Sequence, residues 1–453
     1  MRPRPTARSV ALDLLEAVEF DDAYANLVLP KLLQRAELPT RDAALAQELA
    51  FGTLRWQLFY DRVIEECARR YSDEIDLEVL LILRLGVHQL LATRIPPHAA
   101  LSETVELAKT RLKPSAIGFI NGVLRRSSER DRVEWLEIVL RGISDRHERL
   151  AIQYSHPIWV VAALEQALAL DNAQHELEDL LAADNVPAKV SMVALPGFAP
   201  DTSELQPGLH SPLAFSLDAG DPGRFESVRL GQIRVQDEGS QLAALALTSA
   251  EPVSENEQWL DMCAGPGGKA ALLAAVAVQS GVSLTCNEVS EHRTKLVRQA
   301  LRPIRGNISV KTGDGRKIGA AEPEKYDRIM LDAPCTGLGA LRRRPEARWR
   351  KSVGDLGDLT RLQTELIDSA WKALKPGGIL AYVTCSPHPA ETVGQINSLL
   401  KQQPKAELLS APEVLVKFAK NLGLKTDRKT AQLWPHRDFT DAMFISLIRK
   451  PIA

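Results

Sequence analysis

The chain has 453 residues, enough for roughly three domains at ~150 residues each. Lys and Arg number 56 against 58 Asp and Glu, a formal net charge of −2. That balance excludes a polycation that grips nucleic acid with its whole surface, but it leaves room for a local basic patch. The 45% apolar and 25% charged fractions are those of a globular protein with large cores. The five cysteines are too few and too scattered for a disulfide framework. The lack of a Cys-x-x-Cys pair argues against zinc, and no metal is expected. The first residues lack an apolar signal region, and no run of 18 apolar residues could span a membrane. The expected setting is the reducing cytoplasm.

Residues 1–130 read as an all-helical domain. Val10, Leu14, Leu15 and Val18 repeat at helical spacing, Glu78–Leu91 is a Leu-rich buried helix, and Thr40 is placed to cap a helix. Residues 131–235 read as a small α+β connecting domain. It has helices at Glu134–Leu140 and Ile158–Leu170, a strand-like stretch at Val186–Ala199 and a surface loop over Pro200–Phe225. From 236 to 453 short apolar runs alternate with helical stretches. The predicted strands are Gln258–Met262, Ser283–Val289, Ile308–Thr312, Arg328–Asp332, Gly378–Thr384 and Met443–Arg449. The helices lie at Lys269–Gln279, Glu291–Leu301, Leu359–Leu374 and Thr392–Leu400. That alternation defines a doubly wound, Rossmann-like α/β domain.

The chemistry gathers at the predicted strand ends. The run Cys263-Ala264-Gly265-Pro266-Gly267-Gly268-Lys269 follows one strand and opens a helix, so a ligand can approach the backbone and meet free N–H groups. It is neither G-x-G-x-x-G nor a Walker A loop, because Ala270 follows Lys269. Glu288 ends the next strand, placed for ribose hydroxyls, and Asp314 follows the third, where it could accept from an adenine amino group. Together they describe a nucleoside pocket.

Two thiols share that edge, in Asp332-Ala333-Pro334-Cys335 and Thr384-Cys385-Ser386. Carbon 5 of a pyrimidine is a poor nucleophile. A thiolate adding to carbon 6 moves electron density onto carbon 5, which can then attack an electrophilic methyl group. Asp332 is the candidate to stabilise charge near ring N3. The base must be unstacked to admit the thiolate to its face. Cys67 and Cys286 read as buried thiols, and Cys263 as a packing or backbone contact.

At these residues the sequence resembles the S-adenosylmethionine-dependent RNA cytosine-5 methyltransferases. The resemblance implies that the Cys263–Lys269 loop, Glu288, Asp314 and Asp332 hold the cofactor, that Cys385 is the nucleophile, that Cys335 assists release of the adduct and that Asp332 contacts the cytosine. Gly265 stands where the family usually has Ala, and Ala270 where it has Thr. Ala442 and Met443 depart from its terminal Asp-Gly-Phe, and Pro387–Glu391 lacks its Pro-Glu-Glu-Asn run. The amino-terminal part, through Arg41-Asp42-Ala43, Gly52–Arg55, Arg84–Gly86 and Gly118–Arg125, resembles a NusB-type RNA-binding domain. The combination implies small-subunit (16S) ribosomal RNA as partner, unassembled or partly assembled. A transfer-RNA cytosine-5 methyltransferase and a non-enzymatic ribosome-assembly protein with a vestigial fold are the alternatives.

Residues 342–351 (RRRPEARWRK) carry six Lys/Arg and one Glu. Arg342, Arg343, Arg344, Arg348, Trp349 and Arg350 are expected to meet RNA phosphates at the mouth of the site, with the tryptophan available for stacking. Arg348 replaces a lysine common in the family, which keeps the charge and changes the donor geometry.

Overall fold

A computed structural model describes residues 4–218, 220–425 and 427–452. The chain forms two compact units. The first comprises residues 1–165, 173–186 and 341–350, and the second 166–172, 187–340 and 351–453. The segment expected to be a connecting domain is thus shared between them. Among the described residues no helix is long and apolar enough to cross a membrane.

The first unit is helical. Its central helix, Leu77–Ala92, is apolar nearly all round and buries eleven residues, so it must lie inside a bundle. Helices Ala7–Phe20, Thr40–Arg55, Gln57–Ala68 and Pro114–Ser127 pack against it. One buried ion pair interrupts the core: Arg84 donates to both oxygens of Asp61, at 2.6 and 2.8 Å. Both groups need that fork, since an unpaired buried charge would be costly. Thr40 begins its helix instead of capping it; Pro39 takes the cap position, where its fixed φ suits an entry into helix.

The second unit holds two sheets. Strands β1 (Val190–Ala194), β2 (Gln206–Pro207), β3 (Ala214–Leu217) and β4 (Ile233–Val235) form an antiparallel sheet in the order β2-β3-β1-β4. Two of these strands lie in the stretch expected to be loop. They are too short and too broken by Pro and Gly for periodicity to show.

The larger sheet contains β5 (Gln258–Asp261), β6 (Ser283–Glu288), β7 (Ile308–Thr312), β8 (Tyr326–Asp332), β9 (Leu374–Thr384), β10 (Glu407–Leu409), β11 (Ala431–Gln432) and β12 (Phe444–Arg449). Its order is β10-β12-β9-β8-β5-β6-β7, with β11 also paired to β12. Strands β5 to β9 are parallel and β12 runs antiparallel to β9. Helices Gly268–Gln279 and Glu291–Leu301 connect β5 to β6 and β6 to β7, and Val353–Ala373 precedes β9. Because β5 has β6 on one side and β8 on the other, the strand order reverses there, and a crevice opens at the carboxyl ends of these strands.

Candidate active site

The glycine loop fills the turn after β5. Gly267 has φ +110°, and a Cβ there would meet that of Ala300 at 2.6 Å. Glycine alone satisfies both the backbone and the packing. The Gly265 amide donates to Glu288 Oε2 at 3.0 Å, and a Cβ on Gly265 would lie 2.2 Å from that oxygen. Glycine in place of the family's alanine therefore matches the way Glu288 folds back onto the loop in this chain. The other Glu288 oxygen accepts from the Ser290 amide at 3.0 Å. Oε2 also lies 3.5 Å from the Arg293 guanidinium, so Oε1 is the oxygen with a lone pair left for a further donor. The Asn287 amide group donates to the carbonyls of Met262 and Gly313, at 3.1 and 3.0 Å, which ties the ends of β5, β6 and β7 together. Beyond β7, hydrogen bonds from the Arg316 guanidinium hold the Asp314 carboxyl below its ordinary range.

Asp332 ends β8. Its Oδ2 accepts from Lys269 Nζ at 2.9 Å, joining the glycine loop to the thiol strand. Burial pulls the Lys269 ammonium down, but Asp332 and then Cys385 more than offset it, so the net shift is upward and the lysine stays charged. The Cys335 and Cys385 sulfurs lie 3.4 Å apart. The hydrogen bond with Cys385 and then burial raise the Cys335 thiol well above its ordinary value, so Cys335 is neutral at pH 7. Cys263, in the loop, is likewise pushed up by burial.

Sequence reasoning missed two devices that hold the thiol loops. Glu391 is fully buried and accepts from the Thr336 amide (2.8 Å), the Thr336 hydroxyl (2.5 Å) and Gln363 (3.1 Å). The Thr336 hydroxyl also meets that of Ser386 at 3.1 Å. The residues after both cysteines therefore hang on one carboxylate. Gly339 donates to the Cys385 carbonyl at 2.9 Å and accepts from the Ala442 amide at 2.8 Å. An acid six residues after Cys385 was a visible signal; nothing local marked Gly339.

The basic run requires a correction: it does not form a solvated face. Residues 341–350 belong to the helical unit, where Arg342 and Arg348 are buried. The Arg348 guanidinium donates to the carbonyls of Arg55 (3.2 Å), Ser155 (2.8 Å) and Asp184 (3.3 Å), and to the Asn185 side chain (3.0 Å). Those carbonyls stand at the carboxyl ends of helices Thr40–Arg55, Arg146–Tyr154 and Leu177–Ala183. Helix ends carry unsatisfied acceptors and partial negative charge, and one planar cation serves all three. Burial lowers its pKa to about 9. Trp349 donates to the Leu54 carbonyl at 3.4 Å and Arg350 to that of Val18 at 3.2 Å. Arg343 is half-buried and Arg344 exposed, the latter 5.7 Å from the Tyr24 ring.

A doubly wound sheet with a glycine loop and an acid at its switch point, and two thiols at the adjoining strand ends, is the framework of a nucleoside-cofactor transferase. Residues 248–449 match the model for the 16S rRNA methyltransferase RsmB/F family, and residues 5–129 that for the NusB family. A protein of Mycobacterium tuberculosis (strain ATCC 25618 / H37Rv), named as a methyltransferase, is 44% identical over 99% of this chain and 97% of its own. Ribosomal RNA small subunit methyltransferase B of Yersinia enterocolitica is 33% identical over 92% of this chain and 94% of its own. The crystal structure of PH0851 covers 99% of the chain and 100% of its own at 20% identity, with a TM-score of 0.80, a likeness of fold. The chain belongs to the RsmB/F family of methyltransferases and carries a NusB domain at its amino end.

Proposed function

We propose that this protein transfers the methyl group of S-adenosylmethionine to carbon 5 of a cytosine in 16S ribosomal RNA, through a transient bond between Cys385 and carbon 6. It acts in the cytoplasm on unassembled or partly assembled small-subunit RNA. The observation that carries the reading is the pair of sulfurs 3.4 Å apart, beside the Lys269–Asp332 ion pair that links them to the glycine loop. Full-length likeness to relatives named for ribosomal RNA favours that substrate over transfer RNA.

The residues present suit the cofactor. The glycine loop brings bare backbone to the switch point, Glu288 Oε1 keeps a lone pair for a ribose hydroxyl, and Asp314 stands beyond β7 for the adenine side. Bound there, S-adenosylmethionine supplies an electrophilic methyl group. The Lys269 ammonium, coupled to Cys385, favours its thiolate over the thiol. That thiolate adds to carbon 6 of an unstacked cytosine. Asp332 takes the ring edge, where its carboxylate accepts from the exocyclic amine and from N3 once that nitrogen takes up a proton from solvent during the addition. After carbon 5 has been methylated, its proton passes to a solvent base, the Cys385–carbon 6 bond breaks with the electron pair leaving on sulfur, and aromaticity returns. Cys335, a neutral thiol beside the departing sulfur, assists by hydrogen-bonding to it.

Two variants test this. Cys385→Ser should abolish transfer of labelled methyl into 16S RNA while RNA binding persists. Cys335→Ser should accumulate an RNA–protein adduct that survives denaturant on a gel. A wild type that leaves no new 5-methylcytosine in bisulfite sequencing of ribosomal RNA, against a deletion strain, would refute the reading; signal confined to transfer RNA would move it to the other substrate.

A further inference from the structure

With residues 342–350 largely spent on the helical unit, the RNA strand needs another electrostatic partner. The second unit carries one. Residues 417–429 hold Lys417, Lys420, Lys425, Arg428 and Lys429 against the single acid Asp427. The four lysines are exposed, and among the described residues no ion pair engages Lys417, Lys420 or Lys429. The loop borders a pocket lined by Lys425, Arg428, Arg437, Thr392, Thr430 and Gln432.

One buried acid, Asp171, is itself part of the lining and organises the cations around it. Asp171 accepts from Arg428 at 2.8 Å and from the Trp434 indole at 3.2 Å, and lies 3.7 Å from Arg437. Lys425 donates to the Asp171 main-chain carbonyl. One carboxylate thus holds the Arg428 guanidinium and lies near that of Arg437, while the exposed Lys425 adds a further cation to the lining. Guanidinium forks match the paired oxygens of a phosphodiester. The Thr430 hydroxyl and the Gln432 amide oxygen are of the kind that recognise ribose hydroxyls, the buried Thr392 hydroxyl donating to the His388 carbonyl instead.

Position ties the pocket to the reaction. Its wall includes Pro387 and Thr392, which bracket the turn that follows Cys385. It also includes Phe444, registered opposite Thr384, the residue before the nucleophile. No residue of the glycine loop, nor Glu288, Asp314 or Asp332, lines it. It lies beside the nucleophile strand and apart from the cofactor residues.

We propose that the Lys425–Arg428–Arg437 pocket binds the phosphodiester backbone of the RNA strand next to the target nucleotide. The assignment rests on the RNA-methyltransferase reading above. The test measures equilibrium binding of an unmodified small-subunit RNA fragment to the full chain across a salt series, for wild type and for the double variant Lys425→Gln, Arg428→Gln. Each lost phosphate contact on a single strand makes the log–log salt dependence shallower by about 0.7, so the double variant should flatten it by about 1.4 and bind weaker at low salt. Cofactor affinity should be unchanged, and Lys425→Arg, Arg428→Lys should restore the slope. A wild-type slope in the glutamine variant overturns the assignment, as does weaker binding accompanied by an equal loss of cofactor affinity, which marks a structural role. Loss seen only with assembled subunits, and not with bare RNA, overturns it in favour of a ribosomal protein. The two readings fail separately. Wild-type methylation at carbon 5 with unaltered variant binding removes only the pocket. A flattened slope in a protein that never methylates leaves an RNA site without the enzyme.

Discussion

Asp261, the last residue of β5, is 1% exposed, and its carboxyl is pushed from 3.8 up to about 8. Burial is the largest cause and the Asp332 charge the next, with Lys269 opposing. A carboxyl raised on folding stabilises the protein below its unfolded pKa, and that contribution fades as pH climbs through the folded value. Asp261→Asn should therefore melt higher than wild type at pH 8, with an advantage that shrinks steadily as the pH falls and vanishes only below the unfolded value of 3.8, which a pH series of thermal unfolding measures. Glu391 lends itself to the opposite test. Removing its carboxylate strands the buried Thr336 and Gln363 donors, each worth about 1–3 kcal/mol. Glu391→Ala should lower the melting temperature and slow methyl transfer, and Glu391→Gln, which keeps one acceptor oxygen, should do less of both. An alanine variant as stable and active as wild type would remove the carboxylate from the architecture of the thiol loops.

At the scale of the element, the turn after β8 and the approach to β12 meet at Gly339. A Cβ there would fall 2.1 Å from the Ala442 carbonyl oxygen and 2.8 Å from that of Cys385. Both obstacles are main chain, so neither can swing aside. Gly339→Ala should cost about 1–3 kcal/mol, as overpacking usually does, and should depress methyl transfer more than cofactor binding; calorimetry with a cofactor titration separates the two. The sheet itself was legible in the sequence. Its six principal strands are apolar runs closed by turn residues, and the structure moves their limits by at most two residues except in β9, which begins four residues earlier, at Leu374. The glycine loop, both acids and both thiols were legible because each sits where a strand stops. Gly339 and Ala442 were not, since their contact depends on β12 pairing with β9, a long-range choice that no local pattern encodes. The four-stranded sheet was hidden for a simpler reason: β2 has two residues and β4 three.

For the molecule as a whole, the segment 341–350 is the instructive case. Read locally, its five arginines point to exposed side chains that meet RNA phosphates. Their partners are helix ends between 163 and 332 residues away in sequence, and only the assembled unit reveals them. Arg348→Met keeps an aliphatic stem but removes the donors that three helix termini share. It should lower the melting temperature of the helical unit by several degrees, through unsatisfied carbonyls at about 1–3 kcal/mol each. The salt dependence of RNA binding should stay as in wild type, since this guanidinium faces no solvent. A flattened salt dependence in that variant would restore the basic run as an RNA contact.

That late insertion also orders events on the ribosome. Ser155 waits for Arg348 across 193 residues of further synthesis, which at about 5–20 residues per second takes roughly 10–40 s. During that interval the nascent amino-terminal bundle can collapse, but its three helix ends must be satisfied by water until the arginine emerges. The domain translated first is completed by a residue from the last quarter of the message.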